Sequence, residues 1–301
     1  MTNENETRSL TLFAYAKINL YLDVTGLRED GYHSINSVMQ TVSLHDRITV
    51  KLTPSEFTEI IQTCNRTDIP LDQTNICYKA AQVFLNRTGG NYRVDIDIEK
   101  HIPSAAGLAG GSADGAAVIR ALNRLCDTHL DCDTLCELAL EVGSDLPFCI
   151  VGGTCEVGGR GEHVRRIGSF PDYAVLIAKS TCESVSTKSG YAEVDKYLAG
   201  PHKAAPDFGS YVKTFDKPSK NALLSGTYNV FECALLHTLP ETAVIIEKLK
   251  QTGALCVRMS GSGPSVFAVY NDVQAAYAAK GRLGENVESF VCMPFKSEEI
   301  I

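Results

Sequence analysis

The chain has 301 residues, with 36 acidic against 28 basic side chains and a formal net charge of −8. Its 44% hydrophobic and 21% charged residues are those expected of a globular protein with length enough for two domains. No apolar run reaches the roughly 20 residues of a membrane span, and an acidic chain without a Lys/Arg stripe is a poor partner for nucleic acid.

The opening MTNENETRSL is polar and lacks a hydrophobic signal core, so no export is expected. Eleven cysteines are scattered along the chain. Cys126, Cys132 and Cys136, with His129 nearby, fit no zinc spacing, and reduced thiols in the cytoplasm are the expectation.

From Leu12 to Val24 every even position is apolar, which predicts a strand with one buried face. Lys17 and Asn19 share the opposite face, one pleat apart. Asp30-Gly31 predicts a turn, leaving Tyr32 and His33 just beyond a loop tip. Val94, Ile96 and Ile98 alternate with Arg93, Asp95, Asp97 and Glu99, a second strand over 93–100. A run of small residues follows, and the stripe Val118, Ala121, Leu122, Leu125 predicts a helix after it.

A further helix is expected from an Asp133 cap to about residue 142, with Gly143 as its stop. Ser144-Asp145-Leu146-Pro147 is then a loop or a new helix start. A glycine-rich patch at 152–161 reads as a strand and turn, and 165–172 as a connection to a second domain. In that part the pattern predicts strands at 173–178, 255–259, 265–270 and 287–293, and helices at 187–198, 229–237, 241–251 and 273–283. Residues 260–264 form a turn, and 201–218 are less regular.

The stretch from Pro103 to Ala113 is the most informative. Backbone N–H groups of such small residues can approach a ligand closely. At a helix N-terminus they make an anion site whose natural occupant is a phosphate. The same residues could equally be a packing turn that lets a helix cross a strand. Neither G-x-x-x-x-G-K-[ST] nor G-x-G-x-x-G occurs, so the P-loop and Rossmann fingerprints are absent.

Three blocks stand in order: AYAKINLYLDVTGLREDGYH at 14–33, IPSAAGLAGGSADGAA at 102–117 and MSGSGPSVFAV at 259–269. Together they resemble the superfamily of galactokinase, homoserine kinase, mevalonate kinase and phosphomevalonate kinase, the GHMP kinases. A-K-I-N-L-x-L followed by D-G-Y-H resembles more narrowly the 4-diphosphocytidyl-2-C-methyl-D-erythritol kinases of non-mevalonate isoprenoid synthesis.

The resemblance implies an α+β, two-domain architecture. An ATP-binding domain would span 1–168, with a left-handed βαβ unit, unusual among folds. A ferredoxin-like substrate-side domain would span 169–301. It also implies phosphorylation of the substrate's 2-hydroxyl by ATP with Mg²⁺, by a monomer or homodimer.

By the same resemblance Lys17 and Asp145 are the catalytic pair. A carboxylate can accept the proton of a weakly nucleophilic alcohol, and a lysine beside it would keep it ionised. Their ordinary readings are a strand lysine and an aspartate capping the turn before Pro147. Asn75 and Lys100 are implied near the nucleotide, with Pro103, Ser104, Ala105, Ala106, Gly107, Leu108, Ala109, Gly110, Gly111, Ser112 and Ala113 forming its phosphate loop. Asn19 is implied to bind the erythritol hydroxyls, and Tyr32 and His33 to hold the cytosine. Thr187 and Tyr191 would close that pocket, Tyr191 as a second aromatic wall.

Alanine at 105, 106 and 113 stands where many relatives carry glycine or serine. Asp114 near a phosphate needs an explanation, and the metal's protein ligands are left unassigned. Another kinase of the superfamily is the nearest rival, disfavoured by Tyr32-His33, for which its substrates offer no base. A non-catalytic nucleotide sensor is disfavoured by the retention of both Lys17 and Asp145.

Overall fold

A computed structural model describes residues 6–216 and 219–295, with Lys220 described by its backbone alone. The chain divides into two compact units that interleave in sequence. One comprises Met1–Ala16, His45–Pro103 and Ala109–Val151; the other comprises Lys17–Leu44, Ser104–Leu108 and Gly152–Ile301. Strands β1 (Arg8–Leu27) and β2 (His33–Pro54) each contribute residues to both.

In the first unit β2 continues to β3 (Glu59–Cys64), α1 (Ile76–Thr88) and β4 (Tyr92–Glu99). β4 pairs parallel with β3 and antiparallel with the second half of β2, from Arg47 opposite Glu99 to Pro54 opposite Tyr92. Val94, Ile96 and Ile98 are buried, as the alternation predicts. Three helices complete the unit: α2 (Gly110–Leu125), α3 (Cys132–Val142) and α4 (Leu146–Val151). α2 lies close on α1 because Gly115 has no side chain; a Cβ there would be 2.7 Å from Ile76 Cγ2. The cap of α3 is Asp131, two residues before the expected Asp133, and its carboxylate accepts the Thr134 amide.

In the second unit the first half of β2 pairs antiparallel with β5 (Thr154–Gly159), and β5 with β6 (His163–Arg166). β7 (Ala174–Ser180) leads to α5 (Thr187–Ala199), α6 (Phe208–Lys213) and α7 (Lys220–Ser225). Residues 217–218, part of the stretch read as irregular, lie outside the described residues. β8 (Tyr228–Asn229) pairs parallel with β1 at Tyr21 and Leu22.

The chain ends with α8 (Val230–Leu235), α9 (Pro240–Lys250), β9 (Cys256–Met259), β10 (Val266–Tyr270), α10 (Val273–Lys280) and β11 (Val287–Cys292). β11, β7, β10 and β9 form an antiparallel sheet in that order. With α9 and α10 as its connections, this is the ferredoxin-like β-α-β-β-α-β arrangement. Ile245, Ile246 and Leu249 of α9 and Ala276 and Ala279 of α10 pack with Leu176, Val266 and Ala268 of the sheet.

The second half of β2 alternates, with Ile48, Val50 and Leu52 buried, but its first half is hidden from the sequence pattern for a physical reason. Ser37 through Val42 are all buried, so both faces are covered there and period two disappears. Among the described residues no helix is long and apolar enough to cross a membrane.

Candidate active site

The second unit brings parts of the three motif blocks together. Lys17 lies in β1, Gly107 in the small-residue loop and Gly261 in the turn after β9. The Lys17 ammonium is buried and donates to Asn19 Oδ1 at 2.7 Å and to the Gly107 carbonyl at 3.0 Å. The Lys17 amide also donates to the Leu108 carbonyl, so side chain and backbone hold consecutive loop residues. Ser260 Oγ donates to the same Gly107 carbonyl, and the Gly261 amide to Asn19 Oδ1. Strand, loop and turn are thus laced through two oxygen acceptors.

Gly107 and Gly261 are glycine for reasons visible here. Both have positive φ, +71° and +57°, which side-chain-bearing residues rarely adopt. A Cβ on Gly107 would fall 2.1 Å from the Ser260 carbonyl oxygen.

Asn19 joins this cluster with one Nδ2 hydrogen left uncommitted among the described residues. Its Oδ1 is shared by Lys17 and Gly261, and its Nδ2 donates to Ser37 Oγ at 3.0 Å. Asn229, which sequence reasoning did not single out, supports the turn, its Nδ2 donating to the carbonyls of Met259 and Gly261. The Glu232 carboxylate accepts the Met259 amide, and burial raises its pKa above the usual carboxylate range. No periodicity or motif marks Asn229 or Glu232; only the fold brings them to residues 259–261.

The loop residue Ser104 offers an unused group. Its Oγ is buried and has no hydrogen-bond partner among the described residues. Ala105 and Ala109 sit at φ 47° and 56°, so two alanines occupy the left-handed region that glycine would occupy without strain. An orphaned hydroxyl on a backbone stripped of bulky side chains is a donor set suited to phosphate oxygens.

In the first unit α2 begins directly after Ala109, with Ala113 N–H the first amide bonded back, to the Ala109 carbonyl. The amides of Gly110, Gly111 and Ser112 therefore stand at the positive end of a 16-residue helix. Packing also requires these glycines. A Cβ on Gly110 would lie 3.0 Å from Ile102 Cγ2, and one on Gly111 would lie 3.2 Å from Ile76 Cδ1.

Asp145 immediately precedes α4 and is half-buried. Its carbonyl accepts the Cys149 amide, but within its unit its carboxylate caps no described amide and joins no ion pair. That weakens the capping reading. Asn75, by contrast, caps α1: its Oδ1 accepts the Cys77 amide and its Nδ2 donates to the Pro70 carbonyl. Lys100 lies between two buried carboxylates, Asp46 and Asp114, and it is Asp46 that sequence reasoning missed. Asp114 is therefore turned into the interior of its unit.

The residues expected at the cytosine gather in the second unit. His33 opens β2 and stacks on Tyr191 of α5, ring centroids 4.5 Å apart and planes within 17°. Its Nε2 lies 2.8 Å from Asp195 Oδ1. Phe231 of α8 meets the Tyr191 ring edge-on. Tyr32 is half exposed, with the Arg160 guanidinium 4.9 Å from its ring centroid. Thr187 begins α5 and is exposed. A base between two parallel rings needs two contact spacings of about 3.5 Å each. His33 and Tyr191 already touch, so no base-sized gap lies between these two rings.

Residues 75–153 match the family described as GHMP kinases N terminal domain, and residues 212–289 match GHMP kinases C terminal. The chain is similar to the 4-diphosphocytidyl-2-C-methyl-D-erythritol kinase of Bacillus subtilis, 43% identical over 256 residues, 85% of this chain and 86% of the relative. Against the enzyme of that name from Caldicellulosiruptor bescii it is 38% identical, covering 91% and 94% of the two chains. Among solved structures, a 4-(cytidine 5'-diphospho)-2C-methyl-D-erythritol kinase superposes with a TM-score of 0.78 at 28% identity, covering 95% of this chain and all of the other. A homoserine kinase from Cytophaga hutchinsonii reaches 0.76 at 19% identity, a likeness of fold alone.

Proposed function

The chain belongs to the 4-diphosphocytidyl-2-C-methyl-D-erythritol kinase family, and from that premise we infer that it transfers a phosphoryl group from ATP to the 2-hydroxyl of this cytidylylated alcohol. The observation that carries the reading to particular residues is the lacing of Lys17, Gly107 and Gly261 through the Gly107 carbonyl and Asn19 Oδ1. Residues from three separated motif blocks meet at Lys17 and Asn19, which a packing turn does not require.

The proposed roles follow from the chemistry of each group. Asp145 is the general base: its carboxylate accepts the hydroxyl proton as that oxygen attacks the terminal phosphorus and ADP departs. Lys17 offsets the charge on the transferring group, and Asn19 and the Gly107 carbonyl fix where its ammonium points. The amides of residues 110–112 and the Ser104 hydroxyl receive phosphate oxygens, the rest of 103–113 leaving room for them. Bound with the nucleotide, Mg²⁺ would neutralise phosphate charge; among the described residues no group of three or more His, Cys, Asp or Glu is gathered to hold a metal ion by itself.

Tyr32, His33 and Tyr191 supply the aromatic surface for the cytosine, with Thr187 at its edge. Asn75 and Lys100 stand on the nucleotide side, Asn75 as the cap of α1. The two family matches, 75–153 and 212–289, leave the boundary between an ATP-side domain over 1–168 and a substrate-side domain over 169–301 inside the interval between them. Action in the cytoplasm, on small molecules and as a monomer or homodimer, completes the proposal.

The direct test is ADP release by purified protein against a panel of alcohols including the cytidylylated substrate, homoserine and mevalonate. Turnover confined to the cytidylylated alcohol is expected. Equal turnover of homoserine or mevalonate would move the reading to another kinase of the superfamily.

A further inference from the structure

Three charged side chains meet inside the first unit, and two of them, Asp46 and Asp114, have no role in the chemistry above. Asp46 of β2, Lys100 just after β4, and Asp114 in the second turn of α2 are 0%, 7% and 4% exposed. The Lys100 ammonium donates to Asp46 Oδ2 and, at 2.7 Å, to Asp114 Oδ2. Asp46 Oδ1 accepts two backbone amides, from His101 at 2.5 Å and Ile102 at 2.8 Å. Asp114 Oδ1 is buried without a hydrogen-bond partner among the described residues. Gly110 leaves the space the ammonium needs, since a Cβ there would lie 3.2 Å from Lys100 Nζ.

Burying such a set is costly, and ion pairs of this kind are weak evidence of stability. Their placement in the chain suggests a different use. Lys100, His101 and Ile102 immediately precede the Pro103–Ala109 segment, and Asp114 lies one turn into the helix that follows it. The network therefore ties together the two ends of the small-residue loop. That loop holds two alanines in the left-handed region, and such backbone persists only where its surroundings over-determine it.

We propose that Asp46 is a positioning residue for the nucleotide: its carboxylate, through the two amides and Lys100, sets the span of the loop and so the alignment of the loop's phosphate-binding amides. This rests on the reading of residues 103–113 as the phosphate loop. The two carboxylates are not equivalent. Burial and the neighbouring Asp46 favour the protonated form of Asp114, while Lys100 opposes it. With Asp114 neutral, the Asp46–Lys100 pair is balanced. Asparagine then imitates Asp114 but leaves Lys100 without its counter-ion when it replaces Asp46.

The experiment compares Asp46→Asn with Asp114→Asn at pH 7, measuring affinity for a nonhydrolysable ATP analogue, KM for each substrate, and thermal stability. For Asp46→Asn the analogue Kd and the KM for ATP are expected to rise between about tenfold and a hundredfold, the scale of a small misplacement. The KM for the alcohol should hold. Asp114→Asn should stay within about twofold on that same scale.

A folded Asp46→Asn that binds the analogue like wild type would reduce Asp46 to a structural role and overturn the proposal. If Asp46→Asn does not fold, Asp46→Glu keeps the charge while displacing the hold on the two amides. The same rise in analogue Kd is expected of it, and unchanged affinity counts against the proposal. Wild-type protein that fails to bind the analogue at all would instead sink the phosphate-loop reading.

Discussion

Gly261 and Gly107 meet backbone to backbone: a Cβ on Gly261 would lie 2.8 Å from the Gly107 carbonyl oxygen, the same oxygen that accepts from Lys17 and Ser260. Two glycines far apart in sequence thus set the position of one acceptor, and that acceptor orients the proposed catalytic lysine. Replacing Gly107 with alanine adds a Cβ where the Ser260 carbonyl stands and imposes a left-handed conformation that costs about 1–2 kcal/mol. We expect Gly107→Ala to lower kcat by at least about tenfold while the circular dichroism spectrum is kept, a misplacement effect. Wild-type turnover would show that the lacing is dispensable.

Asp145→Asn should lower kcat by about 10²–10⁴, the usual range for loss of a general base, with nucleotide-analogue affinity unchanged. Lys17→Met should act similarly, and the double variant should fall far short of the product of the two losses because the groups act as a unit. Steady-state kinetics with parallel analogue titration measures both. A loss under about threefold for Asp145→Asn would remove it from the chemistry.

Ala109 stands before α2 with φ 56° and caps no amide by its side chain. Glycine relieves the left-handed strain but adds freedom to the unfolded chain, so Ala109→Gly should stabilise by about 0.5–1 kcal/mol. Urea denaturation midpoints of the two proteins test this. A destabilised variant would mean the alanine methyl does more for packing than its backbone strain costs.

His33→Ala removes the ring stacked on Tyr191. Base stacking on an aromatic side chain contributes roughly 1–3 kcal/mol, so KM for the cytidylylated alcohol should rise about tenfold or more while KM for ATP holds. Equal rises for both substrates would indicate a fold defect and leave the cytosine assignment unsupported.

Asp114 titrates in the interior beside Asp46 of β2 and Lys100, with the Cys77 thiol of α1 near enough to be raised by it. Burial above all lifts its pKa to about 8, Lys100 pulling it back and Asp46 adding to the rise. Burial alone would lower Lys100, but its two carboxylates outweigh that and its pKa is raised. Because folded Asp114 holds its proton more tightly than the unfolded chain, its contribution is present below the ordinary carboxylate pKa and is lost as pH rises through about 8. Wild type should therefore lose thermal stability relative to Asp114→Asn between about pH 4 and pH 8 and level off above that. Parallel melting curves across that range would contradict a protonated Asp114.

The sequence makes legible the elements with one wet and one dry face, such as β4 and the start of β1, since a single buried face imprints its period on the residues. It also determined the family, because A-K-I-N-L-x-L and D-G-Y-H are local strings whose order survives without coordinates. It could not show the first half of β2, covered on both faces from Ser37 to Val42, nor the inward burial of Lys17 and Asn19 on what reads as a polar face. Asp46 and Asn229 were invisible for a related reason. A lone polar residue within a strand or at a helix start carries no pattern, and its meaning comes from partners distant in sequence, Lys100 and Asp114 for the one and Met259 and Gly261 for the other. Local periodicity records which side of an element meets water; only tertiary packing decides which buried polar atoms satisfy one another.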